Sequence, residues 1–189
     1  MSDVVVVDYG AGNTRSVRAA LTHLGATSIV SSDPGKIAAS DLVILPGVGS
    51  ARSAMEHLES TGAAQAVRDR FATGSPILGI CLGMQLALER SDEDGGVDGI
   101  GFLTGSVHLM IEGRVPRLGW ANVEPWDEAY YFAHSFAASS PDCVATSEDV
   151  YKRQRLHIVG SRHHVVRRRE RPASPRHGST EAPSPRSSS

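Results

Sequence analysis

Cys81 is the residue of this chain whose setting best suits covalent chemistry. It stands between Gly79 and Gly83, where the apolar run Pro76–Ile80 gives way to a helical pattern. A side chain at such a corner projects from the carboxyl end of a sheet, and the first amides of the following helix face the same space. This arrangement is typical of a nucleophile elbow, here with a thiol instead of a hydroxyl. The alternative is a buried structural cysteine, the commoner fate of a lone Cys in an apolar setting.

A cysteine nucleophile needs a base, usually a histidine that an acid orients. The His-Leu-Glu triplet at positions 57–59 lies in a predicted helix, where residues two apart point to different sides. The pair His57 and Glu59 is therefore predicted to lie on a solvated face and not to act as a relay. His134 ends a predicted strand and is a better candidate for lining a site. His23 and His108 have no partner visible in the sequence and are predicted to be structural or exposed.

Glycine-rich turns follow buried strands at three places. The β-branched run Val4–Val7 leads to the turn Gly10–Asn13, and the apolar run Asp41–Leu45 leads to Pro46–Gly49. The strand before Cys81 is the third. Helical apolar spacing follows each turn, which predicts an α/β fold with a mainly parallel sheet and helices on both faces. Ligands bind at the carboxyl ends of such strands, where the three turns are expected to meet.

The remaining elements are predicted from the same patterns. Helices are expected over about 14–24, 36–40, 51–60, 63–71 and 82–89, and further strands over 28–31 and 77–80. After residue 95 the sequence changes to short β-like pieces at 101–103, 107–111, 119–123 and 130–134. These pieces are predicted to be antiparallel strands added to the sheet.

Composition favours one cytoplasmic domain without a cofactor. The chain has 189 residues and two cysteines far apart in sequence, with neither a disulfide framework nor a metal-ligand spacing. No signal peptide and no apolar run of membrane-spanning length is visible. The expected setting is the reducing cytoplasm, and no metal, cofactor or membrane partner is predicted.

The carboxyl-terminal part differs in charge and composition from the rest. Residues 1–149 hold 9 basic and 19 acidic side chains, whereas residues 150–189 hold 10 and 2. Residues 171–189 contain no Leu, Ile, Val or aromatic residue and cannot bury a core. The segment Asp149–Gln154 can be encoded by GATGTGTATAAGAGACAG, a transposon end used in preparing sequencing libraries. We predict an incomplete domain over 1–148 and a non-native, disordered or artefactual tail over 149–189, which is no evidence of nucleic-acid binding.

Six ordered segments resemble one family, the glutamine amidotransferase subunit of imidazole glycerol phosphate synthase in histidine biosynthesis. They are Asp8–Asn13, Pro46–Gly49, Gly79–Gln85, Gly99–Gly105, Leu118–Asn122 and Tyr131–Phe136. The resemblance covers about residues 3–148. It implies a flavodoxin-like class I glutamine amidotransferase fold, in which a thiolate at Cys81 attacks the side-chain amide of glutamine.

The resemblance also implies roles for other residues of the site. Backbone amides near Val48, Gly49 and Leu82 match the positions that stabilise the oxyanion. The positions that hold glutamine are matched by Gln85, His134, Ser135 and Phe136.

A partner is implied as well. Asn13 and Trp120 match positions at the interface with the (β/α)₈-barrel cyclase subunit, which receives the ammonia in a heterodimer. The implied partners are thus glutamine and the cyclase, without a cofactor, a nucleic acid or a membrane.

The chain departs from the family where the catalytic triad should be completed. The family has a His-Pro-Glu segment near its carboxyl terminus, but here His163 and His164 precede two valines and Glu170 follows three arginines. A thiol without a base is a weak nucleophile near neutral pH. The polypeptide as written is therefore predicted to be inactive.

Three other functions compete with this interpretation. A non-catalytic scaffold that only binds the barrel partner would explain the missing base, but not the intact Cys81 segment. Another class I glutaminase, such as the pyridoxal phosphate synthase subunit, fits less well because its relatives more often carry Pro-Gly-Gly where Pro46–Val48 stands. A flavodoxin-like redox or stress protein would give no reason for Gln85 or for the block 134–136.

Overall fold

A parallel sheet of four strands forms the first half of the molecule. The computed structural model describes residues 3–111, 113–149 and 152–159. The strands are β1 (Asp3–Val7), β2 (Thr27–Ser31), β3 (Leu42–Leu45) and β4 (Ile77–Gly79), in the spatial order β2-β1-β3-β4. Each neighbouring pair is parallel, and Val5 of the central β1 lies opposite both Ile29 and Val43. The predicted α/β fold with a parallel sheet is confirmed.

Helices cover both faces of this sheet, because the four-valine run of β1 points alternately to each side. Helix α1 (Thr14–His23) packs on the face of Val4 and Val6. The opposite face, with Val5 and Val7, packs on α2 (Pro34–Ala39), α3 (Ala51–Ser60) and α4 (Ala63–Ala72). Burial of each such Val or Leu side chain contributes about 1.5–3 kcal/mol.

Arg70 of α4 is a buried cation that caps α2. It is 4% exposed, and its Nη1 donates to the carbonyls of Ile37, Ala38 and Ser40 at 3.0, 3.2 and 2.8 Å. Its Nη2 donates to the carbonyl of Pro76 at 3.1 Å. The last carbonyls of α2 have no partner within the regular hydrogen-bond pattern of their own helix, and Arg70 supplies a donor to three of them. Two of the four carbonyls have a second donor, because that of Ile37 also accepts the Ser40 hydroxyl at 3.1 Å and that of Pro76 also accepts the Val43 amide at 3.2 Å.

Substitution of Arg70 by Met is expected to destabilise the fold by about 3 kcal/mol, since four hydrogen bonds from a charged donor are lost at once, including those to the carbonyls of Ala38 and Ser40. The change can be measured as the shift of the urea unfolding midpoint. Arg18→Met on the exposed side of α1 is the matched control and should stay within about 0.5 kcal/mol of the unmodified chain. Equal midpoints for the two variants would contradict this role.

The helix after Cys81 is shorter than its sequence pattern predicts. Helix α5 spans only Leu82–Gln85, and the next residues form strand β5 (Leu88–Ser91), so the predicted helix over 82–89 is wrong in its second half. Leu88 pairs with Leu103, and the amide of Leu103 donates to the carbonyl of Ala87 at 3.0 Å. Pairing with a distant strand thus overrides the local helical spacing.

The strands of the second half build separate sheets. Strand β5 joins β6 (Val97–Asp98), β7 (Leu103–Leu109) and β10 (Phe136–Ser139) in the order β10-β7-β5-β6. Strands β8 (Arg117–Val123) and β9 (Glu128–His134) form an antiparallel hairpin. The second half contains the antiparallel pairs β5–β6, β7–β10 and β8–β9, but the pieces predicted at 101–103 and 107–111 form the single strand β7, which also pairs in parallel with β5. These strands do not extend the first sheet as expected, because their partners are one another and β5.

A last hairpin joins β11 (Cys143–Asp149) to β12 (Lys152–Val159). Strand β12 lies within the segment that the sequence predicts to be a non-native tail without order. Its backbone pairs with β11, which satisfies main-chain groups regardless of side-chain composition. Residues 160–189, which hold the rest of the predicted tail, lie outside the described residues. None of the helices in the described ranges is long and apolar enough to cross a membrane.

Candidate active site

Cys81 occupies a sharp turn between β4 and α5. Its backbone has φ 53° and ψ −116°, a conformation that costs energy in a residue other than glycine, and its side chain is exposed. The amide of Gly83 donates to the carbonyl of Ile80 at 3.0 Å, and the amide of Gln85 donates to the carbonyl of Cys81 at 3.1 Å. The thiol therefore stands at the start of α5, at the carboxyl edge of the parallel sheet.

The loop after β3 packs directly on this turn. A Cβ at Gly47 would collide with the backbone nitrogen of Gly83, and a Cβ at Gly83 would collide with the carbonyl of Leu45. Only glycine allows two backbones to approach this closely. The Pro46–Gly49 loop and the Cys81 turn are thus held in contact.

A cavity of about 310 Å³ opens beside Cys81. Every residue predicted to form the oxyanion site or to hold glutamine lines it, although these residues come from three separate parts of the chain. Its lining comprises Val48, Gly49, Cys81, Leu82, Gln85, Glu93, Pro116, Leu118, Ala133, His134, Ser135 and Phe136. The structure therefore brings these predicted positions together around one space.

Two polar side chains of the cavity are held in different ways. Nε2 of Gln85 donates to the carbonyl of Phe136 at 3.2 Å, which joins α5 to β10. Nε2 of His134 is buried and has no hydrogen-bond partner within the described ranges. Burial lowers the pKa of His134, and the nearby Arg117 lowers it further, so its imidazole is neutral at neutral pH.

The neutral state of His134 predicts an acid sensitivity. As pH falls below the ordinary imidazole value of 6.5, the unfolded chain binds a proton that folded His134 resists, so stability falls until the lowered folded pKa is passed. The unmodified chain should lose more stability between pH 7.5 and 5.5 than His134→Gln, because other titrating groups are common to both. Melting temperatures across that range measure the difference, and parallel curves would contradict it.

Tyr9 follows β1 by two residues and packs in the core next to the Cys81 turn. It is 1% exposed, packs in the same apolar cluster as Leu82, and its hydroxyl has no hydrogen-bond partner among the described residues. Burial raises the pKa of Tyr9, and the Cys81 sulfur raises it further. Its phenol is therefore neutral.

Residues 5–174 match the sequence profile of the family described as "Glutamine amidotransferase class-I". The chain belongs to this family. The chain is also 43% identical over 146 residues to "Imidazole glycerol phosphate synthase subunit HisH" of Exiguobacterium sibiricum, which covers 76% of this chain and 74% of the relative.

A second HisH, of Symbiobacterium thermophilum, is 40% identical over 173 residues, covering 85% of this chain and 82% of the relative. Within the class I glutamine amidotransferases, the chain therefore belongs to the HisH group, and the predicted family is confirmed. A solved structure described as "Crystal structure of glutamine amidotransferase" aligns with a TM-score of 0.59 at 20% identity, over 72% of this chain and 73% of that one. This alignment supports the fold.

Glu93 is a cavity residue that sequence reasoning missed. Burial raises the pKa of its carboxyl group and the neighbouring Asp94 raises it further, whereas the Ala51 amide lowers it. Its Oε2 is buried and has no hydrogen-bond partner in the described part of the chain. In the sequence, Glu93 belongs to an acidic run before two glycines, a pattern that is typical of a solvated turn. Long-range contacts, including the pairing of β5 with β7, bring this turn to the cavity.

The two residues predicted at a partner interface lie outside the cavity lining. The Oδ1 of Asn13 accepts the Ser16 amide at 3.0 Å and caps α1. Trp120 on β8 is 71% exposed and contacts Tyr131 edge-on, with ring centroids 5.7 Å apart. Exposed Leu118, which does line the cavity, lies two positions before Trp120 on the same strand.

The other histidines have different environments. His57 lies on an exposed position of α3, as predicted. His108, for which the sequence showed no partner, is exposed but hydrogen-bonds to Asp92 and Ser106, both at 2.7 Å. Within the described ranges, no group of three or more His, Cys, Asp or Glu side chains could hold a metal ion. The tail residues 163, 164 and 170 lie outside those ranges.

Proposed function

We propose that Cys81 is the nucleophile of a glutamine-hydrolysing site that supplies ammonia to a cyclase subunit in histidine biosynthesis, in the cytoplasm. The observation that carries this proposal is the position of Cys81. It stands on a strained turn and faces the same cavity as the Gly49 loop and the His134–Phe136 segment. A nucleophile, backbone donors and polar side chains from separate elements thus converge on a space suited to a small amino acid.

The reaction needs one bond exchange followed by hydrolysis. The Cys81 thiolate adds to the side-chain carbonyl carbon of glutamine and pushes the carbonyl electrons onto oxygen. As the oxyanion collapses, the C–N bond breaks and the nitrogen leaves as ammonia with the proton that the Cys81 thiol lost on ionising, and a thioester remains. Water then cleaves the thioester, which releases glutamate and regenerates the thiol.

Different groups of the cavity can bind the two ends of glutamine, backbone amides at the reacting side-chain amide and a carboxylate at the α-ammonium group. The Leu82 amide has no partner within α5 because it opens the helix, and with the backbone at Val48 and Gly49 it can donate to the oxyanion. At the other end, the carboxylate of Glu93 suits the α-ammonium group of an amino acid. We assign Gln85, His134, Ser135 and Phe136 to the walls that hold the substrate.

An exposed apolar strip next to the cavity supports a protein partner. Leu118 and Trp120 on β8, with Tyr131 on β9, are 59%, 71% and 58% exposed. The relatives that match this chain are named as subunits of imidazole glycerol phosphate synthase. We propose that this strip, with Asn13, faces the barrel subunit and that ammonia leaves toward it.

We further propose that the polypeptide as written does not turn over. Within the described ranges, His134 is the one histidine in the cavity lining, and its lowered pKa makes it a poor base. The match to the family runs to residue 174, but the segment from residue 149 lacks the family's His-Pro-Glu. From that missing segment we infer that 1–148 is the native domain and that 149–189 is not its natural continuation.

Titration with the barrel subunit tests the partner proposal. The chain should bind the barrel subunit and release ammonia at no more than a trace rate. Trp120→Ala should weaken binding, whereas Leu24→Ala, at the exposed carboxyl end of α1, should not. Binding without any glutamine affinity would instead favour the scaffold. Binding only to a pyridoxal phosphate synthase partner would favour the other glutaminase.

A further inference from the structure

The turn Asp92–Gly96 contributes to the wall of the Cys81 cavity and contacts the start of α3. It follows β5 and carries Glu93 into the cavity lining. Across from it lies the start of α3, which directly follows the Pro46–Gly49 loop. Contacts between this turn and α3 therefore also set the position of the Glu93 carboxylate relative to the Gly49 backbone.

Asp94 makes the side-chain contacts that join the turn to α3. Its Oδ2 accepts the Ser50 hydroxyl at 2.6 Å and the Arg52 amide at 3.2 Å. In return, Nη2 of Arg52 donates to the carbonyl of Asp94 at 2.8 Å and to that of Gly96 at 3.3 Å. Four hydrogen bonds thus connect segments more than forty positions apart.

The backbone of Asp94 is held in an uncommon state by these contacts. Its φ is 54°, in the left-handed region, which Asp and Asn tolerate better than other residues with a Cβ. Such a conformation persists where the surroundings determine it. The hydrogen bonds from Ser50 and Arg52 also lower the pKa of Asp94, which keeps the acceptor charged at neutral pH.

The opposite side of the turn is fixed to the second sheet. The Asp92 amide donates to the carbonyl of Val107 at 2.9 Å. Its carboxylate accepts Nδ1–H of His108 at 2.7 Å, and Nε2 of His108 lies 2.7 Å from the Ser106 hydroxyl. The turn is therefore anchored on β7 at one end and on α3 through Asp94.

We propose that Asp94 is a positioning residue for the amino-acid site. Asp94 holds Glu93 and the Gly49 loop at the distance from each other that one glutamine molecule spans. Asp94 does not line the cavity itself and acts through these two neighbours. The inference rests on the proposed function, because it assumes that glutamine occupies the cavity.

Selective labelling of Cys81 in the full chain tests this role without turnover. The rate of labelling by the chloroketone analogue of glutamine is divided by the rate with iodoacetamide, and mass spectrometry assigns the label to Cys81 rather than Cys143. Asp94→Ala removes the two hydrogen bonds that its carboxylate accepts and is expected to lower this ratio about tenfold or more, since one hydrogen bond to a charged group alone is worth about that factor. Asp94→Asn keeps an acceptor and tolerates the backbone, and should stay within about threefold.

Asp98→Ala is the matched control, because Asp98 only pairs with Arg90 on the surface at 3.6 Å. The ratio should be unchanged there. If Asp94→Ala does not fold, Arg52→Met removes the returning hydrogen bonds and should also lower the ratio.

Two results would overturn the inference in different ways. If the chloroketone labels Cys81 of the unmodified chain no faster than iodoacetamide does, the proposed function is wrong, and so is the role of Asp94. A clear preference that survives in folded Asp94→Ala or Arg52→Met, or a slowing of both reagents by the same factor, overturns the positioning role alone.

Discussion

A chain carrying Gly83→Ala is expected to lose about 3 kcal/mol of stability or more, together with the Cys81 cavity. A Cβ at this position would collide with the carbonyl of Leu45. Both groups belong to main chain, in α5 and β3, so no side-chain rotation relieves the clash. Gly47→Ala is expected to act in the same way, because its Cβ would meet the nitrogen of Gly83. Urea unfolding followed by circular dichroism measures the loss.

Gly25→Ala is the control for backbone conformation alone. Gly25 has φ 76° and nothing within 4 Å of an added Cβ, so its substitution should cost only about 1 kcal/mol. Two results would show that the close approach of the two loops is not needed to shape the site. One is a stability of Gly83→Ala equal to that of Gly25→Ala, and the other is an unchanged rate of Cys81 labelling by the chloroketone in Gly83→Ala.

Restoring the family's carboxyl-terminal segment is expected to raise glutamine hydrolysis at least about a thousandfold, because the members of a catalytic triad act as a unit. The variant replaces residues 149–189 by the corresponding segment of the Symbiobacterium thermophilum HisH, which is 40% identical to this chain. The segment would supply the base that the cavity lacks. Ammonia release in the presence of the barrel subunit measures the rate.

The same graft on a Cys81→Ala chain should stay inactive, whereas a graft with Cys143→Ala should keep full activity. A chain as written that hydrolyses glutamine as fast as the graft would contradict the proposed inactivity. The base would then have to be found within residues 1–189 themselves.

The parallel sheet and the Cys81 turn could be predicted because their signals are local. A β-branched run such as Val4–Val7 fits a strand covered on both faces, and the glycines around Cys81 mark a sharp turn. The helices at Ala51–Ser60 and Ala63–Ala72 begin and end where caps and apolar spacing placed them, within a residue.

Features that depend on distant pairing could not be predicted in this way. The helix expected to reach residue 89 ends at Gln85, because Leu88 pairs with Leu103 in a second sheet. The same pairing brings Glu93 to the cavity, although its acidic neighbourhood is typical of a solvated turn. No periodicity within a short window contains this information.

Trapping the acyl-enzyme tests the central proposal most directly. The grafted chain is mixed with glutamine and the barrel subunit, quenched in acid within the first turnovers, and digested for mass spectrometry. We expect a glutamyl thioester on the peptide that carries Cys81, and none on the peptide that carries Cys143. Rapid ammonia release without an adduct on Cys81, or release that survives Cys81→Ala, would show that another group performs the reaction.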